Sequence, residues 1–119
     1  MFFEINNSDA LQSAWNTLCS FLTEHNASKD GVFNSKLVVY ELVGNVLRHA
    51  KGVATVLTEV DGGYVRLEVR SSSPFTPPDK SRCSDVYAEN GRGLFIVDKV
   101  CEERVFTPDG GIQVKIRIR

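Results

Sequence analysis

The stretch Glu41-Leu42-Val43-Gly44-Asn45-Val46-Leu47-Arg48-His49-Ala50 decides how the rest of the chain is read. Glu41, Asn45 and His49 recur at intervals of four, so on a helix they share one side. Their neighbours Leu37, Val38, Val39, Tyr40, Leu42, Val43, Val46 and Leu47 are apolar. A carboxylate, an amide and an imidazole therefore form a polar stripe along a helix otherwise fit for burial. Such a stripe faces either water or a ligand. Gly44 weakens a helix by roughly 1 kcal/mol relative to Ala, and it sits beside the stripe as a point of close approach.

Working outward, the helical pattern covers roughly residues 33 to 50, with Asn34 or Ser35 near its start and Lys51-Gly52 as its stop. A polar connection over 25–31 precedes it. Before that, Leu11, Ala14, Trp15, Leu18, Cys19 and Leu22 predict a helix to about residue 25, with Ser8 as N-cap. Residues 2–6 read as a short strand. Downstream, 53–60 and 64–71 form a hairpin around Asp61-Gly62-Gly63. A third helix opens at Gly91, and two strands follow near 103–107 and 111–119, joined by Pro108-Asp109-Gly110. In the last strand Ile112, Val114, Ile116 and Ile118 alternate with Gln113, Lys115, Arg117 and Arg119. One sheet face is thus apolar and the other solvated. The helices must stack on the apolar face. The expected fold is an α/β (α+β) two-layer sandwich, with a mixed, mostly antiparallel sheet and helices on one face.

At 119 residues the chain suits a single domain spanning 1–119. Its 14 Lys+Arg nearly balance 15 Asp+Glu, so no basic excess points to a nucleic-acid or membrane surface. The N-terminus lacks the basic and apolar regions of a secretory signal, and no apolar run reaches membrane-spanning length. Cys19, Cys83 and Cys101 are odd in number and lack C-x-x-C spacing, which argues against a disulfide framework or a zinc site. A cytoplasmic location is expected.

Two further groups carry chemistry. Asn90-Gly91-Arg92-Gly93-Leu94 stands where a long loop meets a helix. Glycines there let backbone N–H groups approach an anion, which the helix dipole favours; a Gly-rich helix entry without a ligand looks the same. Glu68-Val69-Arg70-Ser71-Ser72-Ser73-Pro74 is a polar strand end running into a loop that spans 72–90. Loops that long are binding loops, lids or disordered. The strand end serves equally as a ligand site or a serine-rich turn.

Taken in this order, the three groups resemble those of the GHKL (Bergerat-fold) ATPases, and most closely the small anti-sigma-factor serine kinases of bacteria. The resemblance spans essentially the whole chain. Glu41-x-x-x-Asn45-x-x-x-His49-Ala50 is similar to the family's N box, and Gly91-Arg92-Gly93-Leu94 to its G2 box, with 74–90 as the ATP lid. The resemblance implies that Glu41 is the general base and that Asn45 binds Mg²⁺. It implies nucleotide contacts from Asn45, His49, Ser71, Ser73, Gly91, Arg92, Gly93 and Leu94. The chain departs from the family at Ser71, which stands where a G1-box Asp would read the adenine amino group. Losing a charge-assisted bond costs roughly 1.5–3 kcal/mol. The implied activity is transfer of the ATP γ-phosphoryl group to a serine of a STAS-type antagonist. The implied partners are that antagonist and a sigma factor or similar regulator, with a homodimer to which Phe2 or Phe3 contributes. A degenerate domain that only binds proteins is the alternative.

Overall fold

The computed structural model describes residues 1–49, 53–71, 91–108 and 110–119, with the backbone alone for His49 and residues 91–95. Its elements are β1 (Phe2–Ile5), α1 (Ser8–Glu24), α2 (Lys29–His49), β2 (Ala54–Asp61), β3 (Tyr64–Ser71), α3 (Gly91–Val100), β4 (Glu103–Phe106) and β5 (Ile112–Arg117). The strands form one sheet in the order β1-β2-β3-β5-β4. Every pairing among the described residues is antiparallel, so the sheet has no mixed region there.

Alternation along the strands decides which face is covered. Ile5, Ala54, Val56, Val65, Leu67, Val69, Ile112, Val114, Ile116 and Ile118 all point to the helix layer and are buried. The helices answer with Leu11, Trp15, Leu18 and Leu22 from α1, Val38, Val39, Leu42, Val43 and Val46 from α2, and Val97 from α3. These residues form one apolar cluster, the two-layer sandwich expected from the alternation. On the opposite face Glu68 accepts hydrogen bonds from Arg70 Nε at 2.9 Å and Gln113 Nε2 at 2.5 Å. The β2–β3 hairpin pairs Asp61 with Tyr64 across Gly62-Gly63, and Gly62 takes the positive φ of 61° that this tight turn requires.

Two helix starts differ from expectation. Asn7, not Ser8, caps α1: its backbone is extended, and its Oδ1 accepts from Ala10 N at 2.7 Å. Helix α2 begins at Lys29, about one turn before the predicted start. Ser28 Oγ accepts from Gly31 N at 2.9 Å, and Ser28 N donates to Ile118 O at 2.6 Å. That turn looks like a loop in the sequence because its inward residue is Gly31, which leaves no apolar side chain to mark the helical period. No helix of the described residues is long and apolar enough to cross a membrane.

Candidate functional site

Helix α2 runs beneath the sheet with its apolar residues inward, and this sets the orientation of the polar stripe. Asn45 is completely buried (0% exposed). Glu41, one turn earlier, is half-buried. At Asn45, therefore, the stripe does not face water. His49 is the last residue of α2, and its side chain lies outside the described residues.

Chain connectivity brings the end of β3 close to this end of α2. Helix α2 stops at His49, β2 begins at Ala54, and Ala54 pairs with Ser71. Five residues span at most about 17 Å. Ser71 shares the parity of Val65, Leu67 and Val69 and faces the helix layer, as does its partner Ala54. Its Oγ is buried and has no hydrogen-bond partner among the described residues. A buried hydroxyl with unused donor and acceptor capacity is costly unless something else meets it. Ser71 thus faces the helix layer to which α2 belongs, beside the strand start that follows α2 in the chain.

The backbone of Gly91-Arg92-Gly93-Leu94 forms the first turn of α3, whose leading N–H groups have no partners within the helix. Ser73 and the predicted lid, 74–90, lie outside the described residues, as does Cys83. Cys101 packs against the core behind α3. Burial pushes its thiol from 9.0 up to about 12; nearby Asp98 adds to this and Arg104 opposes it. A thiol so hard to ionise is no nucleophile. Among the described residues no three His, Cys, Asp or Glu side chains gather as a metal site. The solvated face of the sheet carries a shallow groove of about 300 Å³ between Leu57, Arg66, Glu68, Val105 and Lys115, on the side away from α2.

Arg48 is the site residue that sequence reasoning missed. Its Nη2 donates to Asn45 Oδ1 at 2.6 Å. Its guanidinium lies over Gly44, where a Cβ would come 3.1 Å from Nη1. What approaches Gly44 is therefore the chain's own arginine. The spacing that would have found it, three residues from Asn45 and four from Gly44, is present in the sequence.

These groups fit a nucleotide in part. The Ser71 hydroxyl can meet a base amine, and the first turn of α3 can meet phosphate. The Asn45 amide oxygen suits a hard cation, but a guanidinium already holds it. Two unit charges 4 Å apart interact by about 4 kcal/mol at an effective dielectric of 20, and a divalent ion doubles the repulsion. A cation taking that oxygen would do so against the charge of Arg48.

No protein-family profile matches the sequence, and no curated protein is significantly similar to it. Solved structures do match. A chain of the crystal structure of the SiaB–SiaC complex from Pseudomonas aeruginosa superposes with a TM-score of 0.68 at 16% identity, covering 99% of this chain and 88% of that one. The likeness establishes a shared fold over essentially the full length.

Proposed function

We propose that this chain is a component of a partner-switching regulatory system, acting as an ATP-dependent protein-serine kinase of the anti-sigma-factor type. The observation that carries this reading is the burial of Asn45 one turn from Glu41, on a helix whose apolar residues pack under the sheet. In support, the matched fold comes from a crystal structure of two proteins in complex.

In this reading Ser71 Oγ bonds the base amine of ATP, and the first turn of α3 holds phosphate oxygens through its backbone N–H groups. Asn45 Oδ1 offers a neutral oxygen ligand to Mg²⁺, which when bound neutralises charge on the triphosphate. Glu41 accepts the proton of the attacking serine hydroxyl as the γ-phosphoryl group passes to that oxygen and ADP departs. The partners are a STAS-type antagonist bearing the serine, and a sigma factor or similar regulator.

Calorimetry with ATP and ADP, with and without Mg²⁺, tests the reading. Micromolar, Mg²⁺-dependent binding is expected. Asn45→Ala should lose that binding with the fold intact; Glu41→Ala should keep it and lose phosphoryl transfer. Absence of binding at millimolar nucleotide would leave the second reading, a protein-interaction module without nucleotide. The guanidinium on Asn45 Oδ1 and the uncharged residue at position 71 favour that alternative.

A further inference from the structure

The geometry points to Arg48 as the residue that sets the cation requirement of the Asn45 site, by competing with a divalent cation for the same amide oxygen. This inference rests on the nucleotide-site reading above and adds a residue to which that reading gives no role.

Two separate contacts place the guanidinium. One is the 2.6 Å hydrogen bond from Nη2 to Asn45 Oδ1. Arginine has donors only, so the amide atom it faces is the oxygen, the same atom that a hard cation would take. The other is the hollow over Gly44. The ideal Cβ position there lies 3.1 Å from Nη1, 3.8 Å from Cζ and 3.9 Å from Nη2. A helix interior gains stability from Ala over Gly, yet Ala at 44 would press on this guanidinium. The missing Cβ leaves room for Arg48 to reach Asn45.

The same contacts make the arrangement reversible. Asn45 is wholly buried, whereas Arg48 is largely exposed and bonded to it. Arg48 is thus the exposed partner of a buried amide. Leaving the oxygen costs it one charge-assisted hydrogen bond and returns its charge to water. Staying there puts a positive charge beside any cation that enters. Occupation of the oxygen by one therefore disfavours the other through charge repulsion, and Arg48 raises the Mg²⁺ concentration at which the site fills.

The test is ATP calorimetry over a series of MgCl₂ concentrations for the wild-type chain, Arg48→Met and Gly44→Ala, with thermal melts to verify folding. Arg48→Met keeps the apolar stem and removes donors and charge. The half-saturating Mg²⁺ concentration is expected to fall about tenfold, the scale of one charge-assisted bond. Gly44→Ala, which shifts the guanidinium by a few tenths of an ångström and leaves its charge in place, should move it the same way by a smaller factor. Wild-type binding that needs Mg²⁺, with an Arg48→Met midpoint unchanged or raised, overturns the role of Arg48 and leaves the nucleotide site standing. ATP binding indifferent to Mg²⁺ overturns it also. If folded protein binds no ATP at any MgCl₂ concentration, the nucleotide reading fails and this one with it.

Discussion

Ile118 lies so close to Gly31 that a Cβ on the glycine would stand 2.6 Å from Ile118 Cα and 2.8 Å from its carbonyl oxygen. Real Cβ atoms do not approach backbone that closely, so Gly31→Ala must part α2 from the chain beyond β5. Overpacking of this kind costs about 1–3 kcal/mol, against a helix-propensity gain of about 1 kcal/mol. The variant is expected to melt several degrees lower by circular dichroism. A higher melting temperature would show that the close approach is not maintained in solution.

Thr58 occupies an inward position of β2, is 1% exposed, and its hydroxyl has no hydrogen-bond partner among the described residues. Valine has nearly the same shape and no hydroxyl to desolvate. Thr58→Val should stabilise the fold by about 1 kcal/mol. In urea this reads as a higher midpoint at an unchanged slope. A lower midpoint would mean that the hydroxyl is bonded.

The raised Cys101 thiol has consequences for pH. Its folded value is about 12, against 9.0 for the free side chain. The unfolded chain therefore loses this proton first as pH rises. The contribution is fully present below pH 9 and declines between 9 and about 12. In a Cys19→Ser, Cys83→Ser background, labelling by a thiol-disulfide reagent at pH 8 should be slow in native protein and fast in denaturant. Rapid native labelling would contradict the burial.

Ser71→Asp restores the carboxylate that the nucleotide-binding resemblance calls for. Affinity for ATP should tighten by about a decade. Without ligand, the same substitution places a carboxyl where Ser71 Oγ is already buried and unpartnered among the described residues. The free protein should therefore melt lower, and ATP should restore more stability than it does in the wild type. Unchanged affinity would show that residue 71 does not meet the base.

Much of the fold is legible in the sequence because it follows from alternation. Ile112, Val114, Ile116 and Ile118 mark one face of β5, and the parity of Val65, Leu67 and Val69 carries Ser71 to the same side. The Asp61-Gly62-Gly63 turn is equally plain, since Gly62 takes a positive φ there, and α3 opens at Gly91 as expected. What the sequence hides depends on contacts distant along the chain. The first turn of α2 is stabilised by Ile118, which no local pattern announces. Asn7 rather than Ser8 caps α1, a choice between adjacent good caps that backbone geometry makes. The contact of Arg48 with Asn45 is a rotamer choice, made possible by the space that Gly44 leaves empty.

Helix α2 is about 30 Å long, more than the molecule's smallest extent of 22 Å. One end is docked on Ile118 through Ser28 and Gly31, and the other carries Asn45 and Arg48. A continuous helix transmits order along its length, since one turn cannot tilt freely without breaking bonds to the next. The amide of Ser28, bonded to Ile118 O, is therefore a remote reporter of events at Asn45. Its hydrogen exchange should slow when anything binds that end of the helix, with no label near the site itself.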